Sequence, residues 1–65
     1  MSQETAIQAV RDSMNRVRGR MFEAIEAAGL PDKQEEAIKR LIRHCTYETQ
    51  ADLESVLREG TNNVR

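Results

Sequence analysis

The sequence predicts an all-α protein, an antiparallel helical hairpin that assembles into a homo-oligomeric helical bundle. Two segments carry apolar residues at helical spacing, and Gly29 and Pro31 separate them. A chain of 65 residues with 3% aromatic residues and one cysteine has few means of burying a sufficient core. Without a disulfide or a metal cage, association with further copies is the remaining route. We therefore expect one domain over residues 1–65 that forms a homo-oligomer.

The first helix is predicted over residues 3–28. Its apolar residues step by alternating threes and fours, which is typical of a heptad stripe. The stripe consists of Ile7, Val10, Met14, Val17, Met21, Ala24 and Ala28. Ser2 is a suitable N-cap, and Gly29 is suited to the position just past the helix end. The predicted turn spans residues 29–31, since Pro31 opens a helix more readily than it continues one.

The second helix is predicted over residues 32–59, followed by a frayed tail over residues 60–65. Its apolar side comprises Ile38, Leu41, Ile42, Cys45, Leu53, Val56 and Leu57. We expect Cys45 to be a small core residue of this side. Thr49 and Asp52 interrupt the pattern, and an alternative is that a short third helix begins at Thr49.

Composition excludes several classes of protein. The net charge of −1 argues against purely electrostatic attachment to nucleic acid or to an anionic membrane. No apolar run approaches the ~18 residues that a membrane span requires, so we expect no membrane partner. A single cysteine suits a reducing compartment, and we expect a cytoplasmic location, in the host cell cytoplasm if the protein is viral.

Residue combinations that would indicate catalysis or metal binding are lacking in the sequence. His44 and Cys45 are neighbours on a helix and point about 100° apart, so they do not form a Cys–His catalytic pair. One histidine and one cysteine do not complete a metal site within one chain. A glycine-rich phosphate loop is also missing. We expect no enzymatic activity and no cofactor.

Basic residues gather midway along both helices, and we call this group the basic band. Positions equally distant from Leu30 place Arg20 level with Arg40, and Arg16 level with Arg43 and His44. Acidic residues concentrate instead near the turn and at the far end. The band either binds an anion or is solvated and paired with acids of a neighbouring chain; both alternatives stay open.

Tyr47, the only tyrosine, is predicted to point away from the stripe of Ile38, Cys45 and Val56 and into the basic band. An exposed ring beside guanidinium groups suits a nucleobase with its phosphate; packing at an oligomer contact is the alternative. The candidate ligand-binding residues are Arg16, Arg18, Arg20, Arg40, Arg43, His44 and Tyr47. Gly19 lies within the band, and we expect a neighbouring helix or a ligand against it.

The stretch AIKRLIRHCTY, residues 37–47, resembles the second helix of the helical-hairpin domain of phage anti-CBASS and anti-Thoeris proteins. Ala37, Leu41 and Tyr47 stand at the family's alanine, mid-helix leucine and aromatic positions. The resemblance implies a small oligomer that sequesters a cyclic nucleotide immune signal, and of the ligand residues it carries over Tyr47 alone. The alternative function is a helical-bundle module that binds RNA or a host protein, as plasmid RNA regulators and phage inhibitors do.

Overall fold

A computed structural model describes residues 2–59. It contains two helices, α1 (Gln3–Ala27) and α2 (Asp32–Glu59), which pack against each other as an antiparallel hairpin. The predicted hairpin is confirmed, and α1 ends one residue before the predicted position. Helix α2 continues through Thr49 without a break, so the alternative of a third helix is wrong. The predicted tail over residues 60–65 lies outside the described residues.

The ends of the helices follow from local side-chain chemistry. The Ser2 hydroxyl accepts a hydrogen bond from the Thr5 backbone N–H at 3.1 Å, which caps α1 as predicted. Gly29 adopts φ +68°, a conformation that costs residues with a Cβ atom energy and glycine none. The Pro31 carbonyl accepts the Glu35 N–H at 2.9 Å and so begins the hydrogen-bond ladder of α2.

The stripe of α1 that faces α2 differs from the predicted one. The two share Ile7, Val10 and Met14. Towards the turn the observed stripe continues through Arg18, Phe22 and Ile25, whereas Val17 and Met21 are each 44% exposed. Both stripes follow helical spacing, and the larger side chains of Phe22 and Ile25 favour the observed one over Met21 and Ala24. Phe22, which the heptad pattern leaves out, therefore belongs to the hairpin interior.

Polar residues occupy much of the facing side of α2. Thr46 and Glu54 are buried, and Gln50 is half-buried, between the half-buried Ile42 and Leu57. The prediction that Cys45 is a core residue is wrong, because its thiol is exposed. Thr46 takes the position against α1, and the next residue on a helix points about 100° away.

Side chains that touch across the hairpin follow a consistent offset. Arg18 contacts Thr46, and Arg11 contacts Glu54. In both pairs the residue of α2 is farther from Leu30 along the sequence than the residue of α1. The difference is four positions for Thr46 and five for Glu54. Helical side chains point towards the N-terminus of their own helix, which means away from the turn in α1 and towards the turn in α2. A side chain of α1 therefore meets one whose backbone lies farther from the turn in α2. The predicted pairing of Arg20 with Arg40 is therefore wrong, and the offset sets Arg20 at the level of His44.

Candidate functional site: the polar face around Tyr47

The hairpin has two broad faces of different chemistry. One face, here called the polar face, carries Asn15, Phe22, Arg43 and Tyr47. The guanidinium of Arg43 lies 5.8 Å from the centre of the Phe22 ring, so the two helices meet on this side. Arg40 and Tyr47 are seven residues apart on α2, a spacing that places Arg40 at the edge of the same face.

Arg18 stacks beneath Tyr47 at the centre of the polar face. Its guanidinium carbon lies 3.8 Å from the centre of the tyrosine ring, and only 7% of the residue is exposed. The Arg18 Nε donates to Thr46 Oγ1 at 2.8 Å and Nη1 donates to Asn15 Oδ1 at 2.6 Å. Its Nη2 is buried without a partner. Between residues 2 and 59 no carboxylate forms an ion pair with this cation.

Tyr47 presents a free aromatic surface beside further cations. Arg18 covers one side of the ring, while 53% of the residue remains exposed. Arg40 and Arg43 are exposed on the same face. The ring, backed by the Arg18 guanidinium, can stack a planar base. Arg43, one turn before it on α2, and Arg40, two turns before it, can donate charge-assisted hydrogen bonds to an anion.

The other predicted site residues lie elsewhere on the chain. Arg16 and Arg20 flank a shallow depression with Ser13 and Val17 on the outer side of α1. His44 is exposed on the outer side of α2, where its Nε2 lies 3.6 Å from the carboxylate of Glu48. One chain therefore stacks Arg18 under Tyr47, with Arg43 one turn and Arg40 two turns away on the same face, and does not bring Arg16, Arg20 or His44 to them.

Glu54 is the centre of an ion-pair cluster that sequence reasoning missed. Its carboxylate accepts hydrogen bonds from Arg11 at 2.9 and 3.1 Å, from Gln50 at 3.1 Å and from Arg58 at 3.2 Å. The bond from Arg11 is the largest cause that lowers the pKa of Glu54 to about 2. The spacing of Gln50, Glu54 and Arg58 at four-residue steps is the sequence signal that identifies the α2 part of the cluster.

Lys39 closes the turn end of the polar face. Its ammonium group contacts Glu26 at 2.7 Å and Glu35 at 3.1 Å. The hydrogen bonds that Lys39 donates to these carboxylates, that to Glu26 first, raise the pKa of Lys39. Lys39 is thus committed to acids of its own chain, whereas the structure pairs neither Arg40 nor Arg43 with an acid within residues 2–59.

The opposite broad face is apolar, and both helices contribute to it. We call it the apolar face; it consists of Val10, Met14, Val17, Met21, Leu41, Cys45 and Leu53. At 100° per residue these residues of α1 and α2 fall on the same side of the hairpin, opposite Tyr47. Val10, Met14 and Leu53 line one shallow depression across the two helices. Leu41 is 61% exposed.

Within residues 2–59 no group of three or more metal-ligating side chains comes together. Neither of the two described helices is long and apolar enough to cross a membrane. Comparison of the chain with protein-family models, curated proteins and solved structures finds no match. The function of the candidate site is therefore inferred from the positions and chemistry of its residues.

Proposed function

We propose that the protein is a non-enzymatic homo-oligomer that binds a phosphate-bearing nucleotide on the polar face and sequesters it, as a phage anti-defence sponge would. The observation that carries the proposal is the Arg18 guanidinium beneath the half-exposed Tyr47 ring, a buried cation with no carboxylate partner among the described residues. A buried charge is costly unless it is paired. An anionic ligand above the ring would supply the missing negative charge.

The roles of the residues follow from their positions. Tyr47 stacks the base on its free side, a contact worth about 1–3 kcal/mol per base. Arg40 and Arg43 donate to the phosphates, at roughly 1.5–3 kcal/mol for each hydrogen bond to a charged group. Arg18 acts from behind the ring, fixing its position and making its free side attractive to an anion. Arg16, Arg20 and His44 lie on the outer sides of the helices and have no role in this site within one chain.

Isothermal titration calorimetry against cyclic dinucleotides, cyclic trinucleotides and cyclic ADP-ribose isomers tests the proposal. We expect submicromolar binding of at least one of them, without turnover. Tyr47→Phe should retain affinity, because the ring remains, whereas Tyr47→Leu should weaken binding about tenfold or more. Arg43→Gln should weaken binding similarly, because it removes a charged donor to the phosphate. If none of these nucleotides binds, the proposal is wrong.

The apolar face favours a second candidate function, a helical-bundle module that binds RNA or a host protein. Exposed Val17, Met21 and Leu41 are suited to packing against a partner helix. RNA binding would show a steep dependence on salt concentration. A host protein would co-purify with the chain and compete with its self-association, so each alternative has its own measurement.

A further inference from the structure

We propose that a second copy of the chain covers the apolar face, in a face-to-face dimer whose two turns lie at the same end. In this arrangement α1 of one protomer packs on α2 of its partner, and the four helices form one bundle. The inference rests on the homo-oligomer in the proposed function and is independent of the nucleotide. Three observations carry it: the area of exposed surface, the sizes of the facing residues and the charges along the edges of the face.

The apolar face exposes large side chains that a compact monomer would cover. The chain exposes 4926 Å², whereas a compact monomer of 65 residues is expected to expose about 4,200 Å². On this face Val17 and Met21 are each 44% exposed and Leu53 is 42% exposed. Leu41 is 61% exposed, the highest value among the large apolar residues of the face.

The facing residues are complementary in size when α1 packs on the partner's α2. We apply between protomers the same offset that the helices show within one chain. Ala24 then faces the partner's Leu41. A long side chain opposes a small one at this level, which is the pattern that fills the space between packed helices.

The charges along the edges decide between the two symmetric dimers. Arg16 and Arg20 border the apolar face on α1, and Glu48 and Asp52 border it on α2. With the turns at the same end, the basic edge of α1 lies along the partner's acidic edge, and the offset sets Arg16 at the partner's Glu48. With the turns at opposite ends, each α1 would lie on the partner's α1 and basic edge would meet basic edge. Like charges in contact are unfavourable, so the first arrangement is selected.

A distance measurement between the two turns tests the arrangement. Ala27 is exposed at the end of α1, and Ala27→Cys in a Cys45→Ser background accepts one spin label per chain. Sedimentation should give a dimer, and pulsed electron resonance should give a distance under about 30 Å, because bundled helices pack 8–10 Å apart. Turns at opposite ends would pair the two α1 helices and separate the labels by roughly 37 Å, the length of 25 helical residues, and would overturn the proposal. A monomer at all concentrations would overturn it too.

Charge reversal is an independent test of the same contact. Arg16→Glu or Glu48→Arg should each weaken dimerisation about tenfold, since a symmetric dimer contains two such pairs. The double variant should restore the dissociation constant to within about threefold of the parent. Lys33→Glu, away from the apolar face, is the matched control and should leave dimerisation unchanged. If the double variant is no better than the singles, the assigned pair is wrong. A dimer that binds no nucleotide would refute nucleotide binding and leave the dimer standing. A monomer that binds one would refute the dimer and the homo-oligomer on which it rests, and would leave nucleotide binding standing.

Discussion

The guanidinium of Arg11 in α1 donates two hydrogen bonds to the carboxylate of Glu54 in α2, at 2.9 and 3.1 Å, and joins the helices at the end remote from the turn. The pKa of Glu54 is about 2 in the folded chain, below its ordinary 4.5. A lowered pKa means that the folded state favours the ionised form. The stabilisation is therefore complete above pH 4.5 and is lost as the pH falls towards 2.

We expect the difference in melting temperature between the parent and Glu54→Gln to shrink as the pH falls from 4.5 to 2. At pH 7 the variant should melt at a lower temperature, because it lacks the carboxylate that Arg11, Gln50 and Arg58 share. At pH 2 the two proteins should converge. Glu36→Gln, at an exposed carboxylate outside the cluster, is the control. Melting curves that stay parallel from pH 7 to pH 2 would contradict the assignment.

The hydrogen bond between Arg18 and Thr46 is expected to stabilise the fold only while both partners are present. Thr46→Val leaves the buried Arg18 Nε without its acceptor and should lower the free energy of unfolding by about 1–3 kcal/mol. Replacing both residues, as Arg18→Met with Thr46→Val, should recover most of that loss, since a buried polar pair can be exchanged for apolar residues. Urea denaturation measures both effects. A double variant as unstable as Thr46→Val would show that Arg18 stabilises the hairpin by another contact.

Gly19→Ala tests whether a partner or a ligand lies against the helix. A Cβ atom at Gly19 meets no atom of the described residues within 4 Å. In the isolated hairpin the substitution should raise the free energy of unfolding by up to about 1 kcal/mol, or the melting temperature by roughly 4–8 °C. A simultaneous loss of dimerisation or of nucleotide binding would reveal the expected neighbour. Stabilisation without either loss would show that Gly19 makes no such contact.

Gly29→Ala is expected to have the opposite effect on stability. The backbone at Gly29 has φ +68°, and an L-residue with a Cβ atom pays about 1–2 kcal/mol in this left-handed conformation. The free energy of unfolding should fall by that amount, although the space around the position is open. Gly29→Asn should be milder, because asparagine tolerates the conformation better than alanine. Equal stability of the alanine variant and the parent would contradict the observed turn.

Stability should depend on protein concentration if copies of the chain associate. The melting temperature of the parent is expected to rise with concentration, as mass action requires of an oligomer. Leu41→Gln should remove the dependence on concentration, because it puts a polar side chain into the dimer contact. Leu41 is 61% exposed in the single chain, so the substitution removes few contacts within the hairpin itself. Ala51→Gln, at an exposed position of the other side of α2, is the matched control. Concentration-independent melting of the parent would argue against association.

The hairpin could be predicted from the sequence because its signals are local. Ser2, Gly29 and Pro31 act within one turn of the helix ends: Ser2 caps α1, and Gly29 has φ +68° just past its end. Which apolar stripe faces the second helix is not a local property. Two stripes of similar spacing run along α1, and the choice between Met21 and Phe22 depends on what α2 presents at that level.

The candidate site was predictable only in part, for the same reason. Tyr47 was placed correctly on the exposed polar side, since helical periodicity alone determines its direction from Cys45. The burial of Arg18 was not predictable, because it depends on Thr46 accepting its hydrogen bond from the other helix. Counting charges along the sequence likewise does not show that Arg16 and His44 lie on opposite outer sides of the hairpin.

The polar residues between the helices also determine how the two helices align. If α2 slid by one heptad, Arg18 would meet Lys39 or Leu53 instead of Thr46. The first encounter sets two cations together, and the second buries a charge against a hydrocarbon side chain; both are costly. An interior of uniform leucines would tolerate such a slide. The polar residues thus make the packing between the two helices less hydrophobic, but they restrict the hairpin to one alignment. The more uniform apolar residues lie on the apolar face.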